Sequence, residues 1–232
     1  MAARYAPPAD WKQTSLGSLL EGTGRALQPA SGRKTRAGER TVFVAGDVAL
    51  LRLACVSVIG SRRASAAGEA TARTVAQALV AGGIVVMSGL ADGVDSAAMN
   101  AAIDAGGRTV GVIGTPLDKA YPAANARLQE RVYRDHLLVS QFASGAQVRP
   151  GNFPARNKLM CALSDASVIV EAADGSGTLH QADECVRLGR WLFVARAVLD
   201  DRALSWPAKY AAYERFVALE NASQILEHVR TR

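Results

Sequence analysis

Three short stretches of this 232-residue sequence carry side chains that could hold or cut a phosphate ester. Gly60-Ser61-Arg62-Arg63-Ala64-Ser65 offers a hydroxyl and two forked cations behind a glycine that lets the chain turn close to a ligand. Arg156-Asn157-Lys158 puts two cations and an amide at the front of a helical pattern. The helix dipole already supplies about half a positive charge there, so an anion is needed to compensate them. The segment from Glu171 to Glu184, EAADGSGTLHQADE, turns through Gly175-Ser176-Gly177-Thr178 into another helical pattern, as a chain does when it presents backbone N–H groups to a phosphate. These residues leave open whether the phosphate belongs to a nucleotide being cleaved, a nucleotide being held or a DNA backbone.

Two further turns have similar chemistry. Ser88 to Asp95, SGLADGVD, sets Gly89 and Gly93 around an acidic turn; the glycines suggest close backbone approach, and Asp95 reads as an N-terminal cap or first-turn carboxylate. In Gly114 to Asn125, GTPLDKAYPAAN, Tyr121-Pro122 fixes a turn, Lys119 brings a charge near it, and Asn125 can brace the loop. Tyr121 could stack on a base or simply pack beside its proline. A strand-to-helix turn also uses Gly and Ser for capping alone, so both readings of GSRRAS stand at this level.

Turns of this kind need a rigid frame. From Thr41 onward short β-branched runs, at 41–45, 55–60, 83–89, 109–114, 137–142, 167–172 and 191–195, alternate with Ala-rich helical stretches. The helices are expected at about 66–81, 93–105, 124–135, 154–164 and 178–189. Apolar strands without strict alternation, separated by helices, predict a mostly parallel sheet covered on both faces. The fold class is α/β, doubly wound and Rossmann-like. In such a sheet the crevice lies beyond the carboxyl ends of the strands, and the polar turns follow four of those ends.

Lys and Arg total 27 against 21 Asp and Glu, a net charge of +6, which suits a polyanionic partner or simply keeps the chain soluble. Cys55, Cys161 and Cys185 lie far apart without CxxC or His-rich spacing; they read as thiols of a reduced compartment, and no metal site is expected. The start of the chain has no apolar targeting core, and no run approaches the roughly 18 apolar residues of a membrane span, so a cytoplasmic protein is expected. Residues 1–40, rich in Gly, Pro, Ala, Ser and Arg, predict a flexible basic arm with at most a short helix around Leu16 to Leu20. Its tract SGRKTRAGER is a candidate contact for nucleic acid. Residues 41–232 predict a single Rossmann-like core with a C-terminal helical extension.

VSVIGSRRAS (56–65), SGLADGVDSAA (88–98), GVIGTPLDKAYPAAN (111–125), GNFPARNKLMCALSDASVIVEA (151–172) and GSGTL (175–179), in that order, resemble the DNA-processing protein A family, DprA or Smf, bacterial mediators of recombination. The resemblance spans about residues 41–200. It implies an extended Rossmann fold that binds single-stranded DNA, forms a homodimer and hands the strand to a RecA-type recombinase, with neither catalysis nor a cofactor. Carried over residue by residue, the DNA-contacting candidates are Arg62, Lys119, Arg156, Asn157 and Lys158. The turns add Gly60, Ser61, Gly89, Gly175, Ser176, Gly177 and Thr178 as phosphate-binding candidates. Lys158 stands where the family motif has a second arginine, which keeps the charge and loses the fork.

The chain departs from the family at three places. The usual Ser-Glu-x-Pro-x-Gly segment is here Ser140-Gln141-Phe142-Ala143-Ser144-Gly145. The common N-terminal helical domain is not recognisable in residues 1–40, and nothing after about 200 resembles the family's winged-helix tail. The core is also similar, more distantly, to phosphoribohydrolases of the Lonely Guy type, whose loop reads Gly-Gly-x-Gly-Thr-Leu-Glu-Glu. Their two glutamates become His180 and Gln181, which leaves no carboxylate there for N-glycosidic cleavage; Glu184, one turn on, would need a displaced substrate. The reading is therefore a single-stranded DNA binder. A nucleotide-holding sensor and a nucleotide hydrolase using Arg156 are the alternatives for the same crevice.

Overall fold

Alternation inside the β-branched runs decides how the sheet is covered. Along Cys55–Gly60, Cys55 and Ile59 join one apolar cluster, while Val56 and Val58 join another on the opposite face. A computed structural model describes residues 5–27 and 37–229. Its strands are β1 (Lys12–Ser15), β2 (Thr41–Gly46), β3 (Cys55–Gly60), β4 (Val85–Ser88), β5 (Thr109–Ile113), β6 (Leu137–Ser140), β7 (Ala166–Glu171), β8 (Trp191–Ala195) and β9 (Phe216–Leu219). The helices are α1 (Leu16–Leu20), α2 (Ala66–Ala81), α3 (Val94–Asp104), α4 (Ala126–Asp135), α5 (Asn152–Leu163), α6 (Leu179–Leu188), α7 (Arg196–Asp200) and α8 (Ser223–His228).

The strands form one sheet in the order β1-β2-β6-β5-β4-β3-β7-β8-β9. β2 runs antiparallel to β1 and β6, and the remaining pairs are parallel. From β3 the chain winds outward through β4 and β5 to β6, then returns across the sheet to place β7 on the other side of β3. The winding reverses between β3 and β7, so that pair marks the switch point, where the loops diverge and leave a crevice. Helices α5 and α6 cover one face with α1 and α7; α2, α3 and α8 cover the other, and α4 packs with α3 over β2, β5 and β6.

Helix α2 shows how local sequence sets these boundaries. Ser65 caps it, its Oγ accepting from the Gly68 N–H at 3.0 Å, Glu69 sits in the first turn, and Gly82-Gly83 ends it, with Gly83 at φ +70°.

The chain ends differ from expectation. Residues 12–20 are not a flexible arm: β1 pairs with β2, and α1 buries Leu16 and Leu20. Arg25 is buried as well. Its guanidinium bonds Asp165 at 2.6 Å and donates to the carbonyls of Leu51 and Leu53. Composition missed this because one arginine finding buried acceptors outweighs a polar, glycine-rich context. Most of the tract at 31–40 lies outside the described residues. At the other end, β9 adds a parallel strand beside β8, so the C-terminal extension is not purely helical. Arg25→Ala would remove the cation from a carboxylate that is only 14% exposed. It is expected to lower the unfolding free energy by about 3–5 kcal/mol, read as a drop in the urea midpoint at unchanged slope.

Candidate nucleic-acid interface

A crevice of about 260 Å³ opens at the switch point. Gly60, Ser61 and Arg62 form one wall, Phe153, Arg156 and Asn157 of α5 a second, and Ser176, Gly177 and Thr178 a third. The GSRRAS turn is held from both sides. Glu171, at the end of β7, accepts from the Ser65 N–H at 3.1 Å and the Ser65 hydroxyl at 2.7 Å. Gly60 is required by space: a Cβ there would lie 2.7 Å from Val94 and 2.8 Å from the Glu171 carbonyl. Arg62 stands exposed with its guanidinium 4.7 Å from the centre of the Phe153 ring, and among the described residues it has no carboxylate partner.

Arg156 is different. It is 5% exposed, donates to the Val112 carbonyl at 3.3 Å and lies 3.5 Å from Asp95, while its Nε has no partner among the described residues. Asp95 also accepts from the backbone N–H groups of Gly89 and Ala91, at 3.2 and 3.3 Å. Those bonds flank Leu90, a non-glycine residue at φ +57°, a strained conformation that persists only where its surroundings hold it. Burial pushes the Asp95 carboxyl up and the Arg156 guanidinium down, each partner opposing the shift of the other.

Three sequence-based readings change here. Asp95 does lie in the first turn of α3, but its carboxylate serves the preceding loop and Arg156. The anion that offsets Arg156 is thus already inside the protein. Gly89, expected to approach a ligand, makes room for Arg156: a Cβ there would fall 0.9 Å from Nη1, and the glycine lines the small cavity beside Arg62. Neither role has a periodic signal, because each depends on a side chain about sixty residues away.

In the third wall, Gly175 adopts φ +74° and the turn largely satisfies itself. Ser176 N–H bonds the Ala173 carbonyl, Thr178 N–H the Ser176 hydroxyl, and Leu179 N–H the Ser176 carbonyl. The Thr178 hydroxyl makes no cap bond to α6. Fewer N–H groups are therefore free to face the crevice than the Gly-Ser-Gly-Thr pattern suggested. Asn157 braces the loop by donating to the Gly177 carbonyl at 3.0 Å. Behind it, Asp174 accepts from the backbone of Ser205 and Trp206, which holds its carboxyl below the ordinary range, and the Trp206 indole donates to the Ala172 carbonyl. Sequence reading missed this clamp.

His180 is exposed, and Gln181 is buried with its amide on the Ser167 hydroxyl at 2.7 Å. Glu184 is held by Arg187 at 2.8 Å. Lys158 is exposed and does not line the crevice. Lys119 is also apart. It lines a neighbouring cavity of about 600 Å³ with Tyr121, and its ammonium reaches the Ala146 carbonyl at 3.3 Å. A small cavity of about 50 Å³ shares Arg62, Phe153 and Arg156 with the crevice and Tyr121 with the larger cavity. Asn125 braces this region, donating to the Leu90 carbonyl at 3.1 Å.

Fold and site together define a doubly wound, Rossmann-like protein with an arginine-bearing crevice where the strand order reverses. More particularly, the family model of DNA recombination-mediator protein A matches residues 28–229, and the chain belongs to that family. It is 39% identical over 160 residues to DNA processing protein DprA of Streptococcus pneumoniae, covering 68% of this chain and 56% of that protein. The X-ray structure of that S. pneumoniae protein aligns with a TM-score of 0.77 at 33% identity, covering 85% of this chain and 69% of the other. DNA processing protein A from Helicobacter pylori, reported for its single-stranded DNA binding mode, shares the fold with a TM-score of 0.74 at 24% identity, covering 94% of this chain and 95% of the other. No helix among the described residues is long and apolar enough to cross a membrane.

Proposed function

We propose that this chain binds single-stranded DNA in the cytoplasm, acts as a homodimer and loads a RecA-type recombinase, without catalysing a reaction on the strand. The observation that carries the binding reading is the charge balance of the crevice. Asp95 is the one acidic residue among those lining it and faces Arg156, so the exposed Arg62 remains for phosphates, with the buried Arg156 bordering the crevice beside it. A binder is favoured over a hydrolase because Gln181 and Glu184 are engaged elsewhere and no unpaired carboxylate lines the crevice. Membership of the recombination-mediator family supports the cellular role.

Anisotropy titration of a labelled oligothymidine tests this. With a slope of about −0.7 per contacted phosphate, affinity is expected to fall about sevenfold between about 50 and 200 mM salt for two contacts and about eighteenfold for three. Arg62→Ala is expected to flatten that slope by about 0.7 without altering the thermal midpoint, because the side chain is exposed. Salt-independent affinity, or an unchanged slope in the variant, would overturn the reading. The three walls around a volume of about 260 Å³ also allow a held nucleotide as a second reading. Release of nucleotide on denaturing the purified protein would support it, and free base after incubation with nucleoside monophosphates would support hydrolysis.

A further inference from the structure

We propose that Tyr121 is a nucleobase-stacking platform outside the crevice, forming with Lys119 a second nucleotide subsite on the same strand. The proposal rests on the single-stranded DNA reading and adds a path for the strand. Tyr121 is 50% exposed, a high value for a large ring. It touches Phe153 at a centroid distance of 5.4 Å with the planes tilted by 40°, which leaves much of the ring uncovered. It lines both the small cavity and the 600 Å³ cavity beyond, so a strand leaving the crevice past Arg62 and Phe153 meets it next.

The platform is built rigidly. Thr115 and Gln129 donate to the Lys119 carbonyl at 2.9 and 3.1 Å, and Gln129 also donates to the Tyr5 hydroxyl, which in turn donates to the Leu117 carbonyl. The loop bearing Tyr121 is thereby fixed before any ligand arrives. Lys119 stands on the same rim with no carboxylate partner among the described residues, so its charge is available to the phosphate following a stacked base. Asp118 also lines this cavity, but one carboxylate oxygen accepts from the Ser144 hydroxyl and the Gly145 N–H of its own loop.

The test is anisotropy titration of the full chain with oligothymidines from 2 to about 16 nucleotides, bracketing usual site sizes. Wild type is expected to gain affinity with length. Tyr121→Ala should bind the shortest strand like wild type, which reports an intact crevice, and bind the longest about 5- to 150-fold more weakly, the loss of one stacked base. Tyr121→Phe should stay within about twofold of wild type, because stacking needs the ring and not the hydroxyl. Lys119→Gln should flatten the salt slope by about 0.7 for long strands only. An unchanged long-strand affinity in Tyr121→Ala, or an equal loss in Tyr121→Phe, overturns the subsite while leaving the crevice reading in place. Failure of wild type to bind any length overturns both.

Discussion

Arg156→Ala is expected to abolish measurable oligothymidine binding and to lower the unfolding free energy by about 3–5 kcal/mol, the usual cost of breaking a buried ion pair. The structural part has its own signature in pH. Burial holds the Asp95 carboxyl above its ordinary value of 3.8, and the Arg156 guanidinium pulls it back down. Without the guanidinium the folded-state value rises further. A carboxyl whose folded value exceeds its unfolded one binds its proton more tightly when folded. Its penalty is therefore absent below 3.8 and grows as pH rises through the window up to the folded value. Compared with wild type, the variant should lose additional stability as pH rises above the ordinary carboxyl value of 3.8, and adding Asp95→Asn should remove that extra loss. Urea denaturation at several pH values measures it. Parallel pH profiles for wild type and variant would show that Asp95 does not depend on Arg156.

Gly89→Ala is expected to approach the same effect without touching a charged residue. The added methyl would lie 0.9 Å from Nη1 and 2.0 Å from Cζ of Arg156. The guanidinium must leave its slot, which forfeits the Val112 bond and the Asp95 pair. The expected cost is about 3–5 kcal/mol for the broken pair, with a further 1–3 for strain where the backbone cannot yield. DNA affinity should fall at least as far as in Arg62→Ala, since the displaced cation no longer faces the crevice. Gly175→Ala is the contrast: nothing lies within 4 Å of its Cβ, and only the left-handed backbone, at φ +74°, resists the change, at about 1–2 kcal/mol. Equal denaturation midpoints for the two variants would contradict this account of Gly89.

Most of the frame was legible in the sequence. The seven β-branched runs correspond to β2 through β8, and the expected helix at 66–81 is α2. The period of two in the strands and the Ser and Gly at helix ends are local signals that tertiary packing reinforces. β1 was not legible because KQTS is a polar edge segment without an apolar face. In the site, the parallel-sheet rule put the GSRRAS and GSGT turns on one edge, and both line the crevice; Arg156, on α5, lay outside that rule. The rule could not place Lys119, which the intervening Tyr121 and Phe153 separate from them.

What the sequence determined by itself was patterned and short-range: a doubly wound sheet, the edge on which the polar turns collect, and the absence of glutamates after GSGTL. Tertiary structure alone decided pairings. Asp95 could be assigned to a helix terminus from its neighbours, but its partner is Arg156, brought across by the return of the chain from β6 to β7. Arg25 likewise meets Asp165 across 140 residues. The physical reason is the same in both cases. A helix or strand repeats its signal every few residues, whereas a buried ion pair is one contact between two distant points, selected by whichever acceptor the completed fold leaves within reach of a desolvated cation.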